Sequence, residues 1–501
     1  MKHRTSNMRG FLSASSAMAL CMSVSSVHAD GPTVLPDSTL GASDAAPYDA
    51  LGYGLAVDGT RMLVGARGSD SVALNGGVIY TYSRGASGWV QASKVIFPQA
   101  MAGDQIATAL AMYGTVAVAG APNRGASGAA FALRFDGGAW FPTVELTDVA
   151  TSVNAEFGSA VAASATRIAV ASPNSTEGIA NGVGRVRIFD LNGTQWVIGQ
   201  LIRAPYMDPG DQFGFAIALD GEWLAVAAPG DDQGAINAGA VYVYRAVRGS
   251  FVLMHKVFAP TPTLEDSFGY SVALKNGMLV VGAPRRDDAG EDSGAAYVFN
   301  VPTNGAQPSL LRTLVPPSGS LDAEFGFAVS TDGVSVVVGA PGFEVDGSLC
   351  GAAWMYFNPS AQSSAVLARA PAGMQLLGAR VAITTTDVIA AVPGASNGVI
   401  PNAGQVVVLD RTRDCNANSV PDSIDIGGGA AVDANGDGTP DACQCLVDLN
   451  GDDLVNAIEL AIILANWGPA SAGQVADLND DGLVNALDLA VVLAQWGVCQ
   501  N

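Results

Sequence analysis

The sequence predicts a mainly β protein: a ring of repeated four-stranded sheets, then a small loop segment and a short α-helical tail. Three observations carry this. One skeleton recurs seven times at near-constant spacing. Within it, apolar runs such as Leu224–Ala228 and Ala240–Tyr244 do not alternate with polar residues, as expected of strands covered on both faces. After Asp410 the chain turns rich in Asp, Asn and Gly, and Asp448–Gly468 is duplicated as Asp477–Gly497.

The repeat is clearest in Phe213–Tyr244: Phe-Gly, a strand, a turn, an apolar run ending in Ala-Pro, a polar loop, and a Val/Tyr strand. Copies begin at Leu51, Ile106, Phe157, Phe213, Phe268, Phe325 and Leu377, in steps of 55, 51, 56, 55, 57 and 52 residues. In the fourth copy the expected strands are Phe213–Leu219, Glu222–Ala228, Ala240–Arg245 and Phe251–Phe258, with an acidic loop at Gly230–Gly239. Asp220-Gly221 is expected to form a type I′ turn with φ > 0 at both residues, repeated at Asp58-Gly59, Asn276-Gly277 and Asp332-Gly333.

Phe268-Gly269 with Gly282-Ala283-Pro284, and Phe325-Gly326 with Gly339-Ala340-Pro341, resemble the FG-GAP repeats of the integrin α-subunit head and its bacterial relatives. The resemblance covers roughly residues 40–411, with Leu51-Gly52, Ile106-Ala107 and Leu377-Gly378 departing from Phe-Gly. It implies a seven-bladed β-propeller. The seventh copy ends at Gln405–Asp410 without a fourth strand, and Thr33-Val34-Leu35-Pro36 is similar to Thr313-Leu314-Val315-Pro316 in a fourth-strand position. The N-terminal stretch is therefore expected to close the ring and leave no open edge. The propeller is assigned residues 30–411.

Residues 1–29 read as a secretory signal peptide: a basic start, a small and apolar stretch over Gly10–Val27, and Val27-His28-Ala29 before Asp30. The stretch is too short and polar for a membrane span, and no later segment reads as one. Its removal takes Lys2, Arg4 and Arg9 and no acid, so the net charge moves from −22 to −25. That balance argues against nucleic-acid binding. Export permits disulfides. Once Cys21 leaves, Cys415 is expected to pair with Cys443 and Cys445 with Cys499, other pairings being compatible with the sequence. Cys350 is then the odd cysteine, expected to be buried in blade six.

In residues 412–445, Asp414, Asn416, Asn418, Asp422 and Asp425 stand at positions 1, 3, 5, 9 and 12 of a calcium loop. Asp433, Asn435, Asp437 and Asp441 repeat positions 1, 3, 5 and 9. Calcium takes six to eight oxygens, and this spacing gathers short oxygen-bearing side chains around one point. The segment resembles the thrombospondin type 3 repeat. In residues 446–501, Asp448, Asn450, Asp452, Asn456 and Glu459 occupy positions 1, 3, 5, 9 and 12, and Asp477, Asn479, Asp481, Asn485 and Asp488 do so again. Leu454 and Leu483 would supply the carbonyls of position 7. Each loop leads into a helix, and the pair resembles a type I dockerin, a paired F-hand module that docks onto a cohesin.

Two features depart from that pattern. Asp453 stands at position 6 of the first loop where Gly482 fills the second, so the first loop is expected to bind calcium more weakly. The helix starts carry Ala457-Ile458 and Ala486-Leu487, which implies an apolar recognition face or a different partner. Trp467 and Trp496 end the two helices and are expected to pack into the core.

Catalytic groups are scarce. His255 is the one histidine of the mature chain, which argues against a Ser-His-Asp or Cys-His mechanism and against a zinc site. Asp231-Asp232, Asp287-Asp288, Glu291 and Asp292 read as solvated turns, with Arg285-Arg286 beside them to neutralise the acids. The sequence thus reads as a secreted or cell-surface, non-catalytic, calcium-binding protein. Its propeller would bind a protein or glycan, and its tail a cohesin-like or cell-surface protein. Two alternatives are an enzyme or accessory part of an extracellular polysaccharide-degrading system and a structural envelope protein.

Overall fold

A computed structural model describes residues 33–34, 38–85, 88–148, 152–316, 320–345, 348–357, 365–369 and 376–411. Beyond these it describes 422, 431, 440, 447, 449, 454–470, 474, 476–478, 481–494 and 496–498. Seven antiparallel sheets follow one another along the chain, each the blade of a seven-bladed β-propeller. Blade four shows the pattern, with strands Ile217–Asp220, Trp223–Ala228, Ala240–Val247 and Ser250–Val257. Its first strand is shorter than the sequence suggests, because Phe213 to Ala216 form the turn into the blade.

The Phe-Gly motif joins neighbouring blades. Phe213 N donates to Val183 O of blade three at 3.1 Å, and Phe268 and Phe325 repeat this contact at 2.9 and 3.0 Å. The motif's phenylalanines are fully buried. Phe213 meets Tyr242 edge-on at 5.2 Å between centroids, and Phe268 meets Tyr297 at 5.4 Å. The core is accordingly a set of apolar clusters between blades rather than one centre. In one of them Ala225 and Val241 of blade four pack with Phe268, Leu279 and Tyr297 of blade five.

The ring closes through the N-terminal stretch, in a register different from the expected one. Ser38–Leu40 is the fourth strand of blade seven, with Thr39 opposite Val407. Thr33–Val34 instead runs parallel to Ala365–Arg369 as a fifth strand of blade six. The Leu51 N–H donates to Ala403 O at 2.9 Å, and Arg84 of blade one pairs with Asp410 of blade seven at 2.9 Å.

The hairpin turns also differ from expectation. Asp220 pairs with Trp223, so the turn is Gly221-Glu222 and only Gly221 has φ > 0, at +57°. Asp58 pairs with Arg61, and Gly59 is likewise alone at +57°. This is the sign pattern of a type II′ turn. The aspartate serves the next blade: Asp220 Oδ2 accepts from Asn276 N at 2.8 Å, and Asp58 Oδ2 from Gly114 N at 2.5 Å. Asn276-Gly277 has both φ values positive, at +49° and +78°, as expected of type I′. Asp332-Gly333 lies in a longer loop between the paired Thr331 and Val336.

Cys350 is buried in blade six as expected, but it is disulfide-bonded to a residue outside the described ones, which corrects its reading as the odd cysteine. Cys415, Cys443, Cys445 and Cys499 lie outside the described residues. Among the described residues no helix is long and apolar enough to cross a membrane.

Candidate functional site

The C-terminal module is built from two short helices, α1 (Ala457–Ala465) and α2 (Ala486–Ala494). Asparagine starts both. Asn456 Oδ1 accepts from Ile458 N at 2.9 Å, while Asn456 N donates to Glu459 Oε2 at 2.6 Å. Asn485 Oδ1 accepts from Leu487 N at 2.7 Å, and Asn485 N donates to Asp488 Oδ2 at 2.7 Å. These are reciprocal caps. They commit both position-9 side-chain oxygens to the helix starts, so a calcium contact from this position would run through water, as it often does.

The halves clasp each other by exchange. Leu454 and Val455 within the first loop pair with Val498 and Gly497, and Gly468 and Pro469 after α1 pair with Val484 and Leu483. Val455, Ile463, Val484 and Val492 are buried between the halves. The position-12 carboxylates, Glu459 and Asp488, are wholly buried. Asp488 Oδ1 takes a backbone bond from Leu478 N at 2.8 Å. Among the described residues, Glu459 Oε1 is buried without a hydrogen-bond partner. A buried carboxylate oxygen without a donor is costly unless a cation meets it, so this residue fits calcium.

The second loop fits as well. Asp477 Oδ2 accepts from Gly482 N at 2.9 Å, with Gly482 at φ +83°, as position 6 requires. The Asn485 amide nitrogen lies 3.3 Å from Asp481 Oδ2 and 3.2 Å from the Leu483 carbonyl, a donor among acceptors that a cation would also attract. Among the described residues no three His, Cys, Asp or Glu side chains gather as a metal cluster. Asp448, Asn450, Asp452, Asp453 and Asn479 lie outside the described residues. So do Asp414, Asn416, Asn418, Asp425, Asp433, Asn435, Asp437 and Asp441, while Asp422 is buried.

The outward faces of the helices are apolar. Each helix has a single charged residue, Glu459 or Asp488, and it points inward. Ile458, Leu464 and Trp467 are 48, 54 and 50% exposed, and their counterparts Leu487, Leu493 and Trp496 are 59, 54 and 50% exposed. Both tryptophans were expected in the core. They lie half outside it because the clasp strands occupy the helix ends.

On the propeller, the acidic turns are more engaged than the sequence suggests. Asp231 is buried, paired with Lys256 Nζ at 2.5 Å and accepting from Tyr242 Oη at 2.9 Å. That corrects its reading as a solvated acid. Asp232 and Asp287 are exposed and accept from the backbone of Asn237 and Asp292 at 2.7 and 2.8 Å. Arg286 neutralises Asp266 and Asp288 at 2.9 and 2.8 Å. His255 Nε2 lies 2.9 Å from Gly305 O, a satisfied inter-strand residue as expected. A cleft of about 320 Å³ beside Ser127 and Thr147 contains Arg124, which is held by Asp104 and Glu145.

Asp211 is buried near Asp231. Burial, then the charges of Asp231 and Asp208, push its carboxyl up to about 7. A raised folded pKa means that the native state holds the proton more tightly. That contribution to stability is complete below the unfolded value near 4 and is lost as pH rises towards 7. Asp211→Asn is therefore expected to raise the propeller's melting temperature at pH 8, by about 1–3 kcal/mol in stability. The gain should shrink towards pH 5, and melting curves at the two pH values check it. A gain equal at both would remove Asp211 as the titrating group.

Sequence reasoning missed the propeller axis. The residues after Phe-Gly line it with half-buried rings: Phe215, Tyr270 and Phe327, with centroid spacings of 5.0 Å for each neighbouring pair. Tyr53 takes the equivalent place in blade one, with the Arg67 guanidinium 3.2 Å and the Arg380 guanidinium 5.4 Å from its ring centroid. Arg67 interrupts the repeat, standing where the other copies have Pro122, Pro173, Pro229, Pro284, Pro341 and Pro393. Arg380 stands where they have Gly54, Ala109, Ala160, Ala216, Ser271 and Ala328. Comparing the copies with one another would have exposed both.

Known proteins place these parts in families. The FG-GAP repeat family matches residues 37–82, 196–244 and 252–299, and the dockerin type I domain family matches residues 446–495. No curated protein matches the chain. Among solved structures, Saccharomyces cerevisiae Sqt1 is similar at 10% identity and a TM-score of 0.43, covering 75% of this chain and 99% of Sqt1. A Bacteroides uniformis protein provisionally assigned as a 6-phosphogluconolactonase has the same identity, 10%, and TM-score, 0.43, over 66% of this chain and 86% of its own.

Proposed function

We propose that this chain, which carries FG-GAP repeats on a seven-bladed propeller and a type I dockerin domain, is a calcium-dependent binding protein that works outside the cell. Dockerin type I domains bind calcium and dock onto cohesins, and proteins that bear them are typically extracellular. The tail attaches the protein to a cohesin-bearing scaffold or surface protein, and the propeller presents the ligand-binding loops. The apolar outer face of α1 and α2 carries this reading. A helix with no outward polar residue calls for a cover, and six large apolar side chains related by the duplication stand about half exposed to water, which disfavours them.

The propeller is read as a binding rather than a catalytic module. Its loop end, where each blade begins, exposes Leu74, Ile179, Ile236, Leu264, Leu321 and Val399. The acids first in line for hydrolysis are already engaged, Asp231 by Lys256 and Tyr242 and Asp287 by the Asp292 backbone.

The test is capture of a cohesin module from the same organism by the full chain, in millimolar calcium and in chelator. Capture should require calcium. Trp467→Ala combined with Trp496→Ala should weaken it at least about tenfold, since half-exposed tryptophans are typical anchors. The tail's melting temperature should stay within a few degrees of the parent's. Calcium-independent capture, or full capture by the double variant, would refute docking through this face.

A further inference from the structure

Among the described residues the arginines on the propeller axis have no counter-ion. Arg67 and Arg380 share the ring of Tyr53, and among the described residues neither is in an ion pair. Among the described residues the Arg380 guanidinium donates to the carbonyl of its own neighbour, Ala379, at 2.8 Å. Burial first, and then Arg380, lower the pKa of Arg67, while Tyr53 acts to raise it. Two cations held together on one ring, partly out of water, repel each other unless an anion joins them. This happens in a chain of net charge −22, which has acids to spare. Burial pushes the Glu324 carboxyl up, with Arg285 acting against it, and among the described residues it forms no ion pair with Arg67 or Arg380.

Across the mouth lies apolar surface. Phe215, Tyr270 and Phe327 form an arc over blades four to six, beside Arg380 in blade seven and Tyr53 in blade one. The first strands of blades five, six, seven and one lie side by side around the ring, so arc and arginines face the same axial space. Guanidinium forks match carboxylates, with two parallel hydrogen bonds each. Flat aromatic walls beside a few converging polar groups are the usual make-up of a small-ligand site.

We propose that the axial mouth binds a ring-bearing carboxylate, its acid group on Arg67 and Arg380 and its ring face on the Phe215–Tyr270–Phe327 arc. The ring is that of a sugar acid or an aromatic acid, two sources of the same chemistry. The inference rests on the propeller being a binding module and is independent of what the tail docks onto.

The experiment is calorimetric titration of the full-length protein, in calcium, with trigalacturonate, benzoate and neutral galactotriose. Binding of trigalacturonate assigns the sugar-acid source, and binding of benzoate alone assigns the aromatic one. Galactotriose should not bind. Arg67→Gln and Arg380→Gln should each weaken the acid that binds by about tenfold. Arg67→Lys with Arg380→Lys, which keeps the charge and removes the forks, should weaken it too. Cohesin capture by these variants should be unchanged, which separates failure of this site from failure of the docking role. If neither acid binds, if galactotriose binds equally, or if the variants bind as the parent does, the proposal falls. In that case the arginines serve only to fill the axis, and their loss would lower the melting temperature alone.

Discussion

Gly326→Ala is expected to cost the propeller about 2–5 kcal/mol, one of the largest losses open to a single methyl group in this chain. Gly326 has φ +94°, a conformation that side chains rarely adopt. A Cβ there would lie 2.3 Å from the Ala295 carbonyl oxygen and 3.1 Å from both Ala283 N and Gly282 Cα. All three are backbone atoms of blade five, so no side chain can rotate away. The methyl group must push two blades apart, and closely packed interiors do not absorb that. Blade two provides the control. Ala107 already stands at the equivalent position, but with φ at +69° rather than the +94° of Gly326. Ala107→Gly should therefore be neutral or stabilising by up to about 1–2 kcal/mol. Thermal melting of both variants checks the pair. A Gly326→Ala protein within about 0.5 kcal/mol of the parent would mean that the blades are not pinned at this motif.

Glu459→Gln with Asp488→Asn is expected to abolish the calcium-dependent melting transition of the tail while leaving the propeller's in place. Both carboxylates are wholly buried. Their second job is to hold the helix starts, through Asn456 N at 2.6 Å and Asn485 N at 2.7 Å. An amide can still accept those bonds, so the substitution removes the charge and spares most of the cap. The first loop should respond more to Glu459→Gln alone, since among the described residues Glu459 Oε1 has no hydrogen-bond partner and stands ready for a cation. Calcium affinity of that loop should fall at least about tenfold, as loss of a bidentate position-12 ligand implies. Calcium titration followed by helical circular dichroism measures both effects. Chelation of the parent protein should reproduce the double variant. A Glu459→Gln protein with an unchanged titration would remove the first loop as a calcium site.

Whatever depends on residues close in sequence was legible from the sequence alone. Recurrence of Phe-Gly and Ala-Pro at steps of 51 to 57 residues determined a repeat of seven blades, because blades one to five are each one contiguous stretch of chain and blades six and seven only borrow a strand from the N-terminal stretch. The loop-then-helix duplication of the tail was equally plain, since caps and loops are built within a dozen residues. Tertiary structure decided the rest. The N-terminal stretch pairs through Ser38–Leu40 rather than Thr33–Val34, because its partner strand lies more than 350 residues away and its register is set there. Asp220 looked like a turn residue and instead bonds Asn276 of the next blade. Asp231 looked solvated and is buried against Lys256, 25 residues on. Trp467 and Trp496 looked like core and are half exposed, displaced by strands from the opposite half of the tail. Arg67 and Arg380 are 313 residues apart and meet on one tyrosine only because the ring closes. A sequence shows what a side chain is; what surrounds it depends on chain that folding brings back from far away.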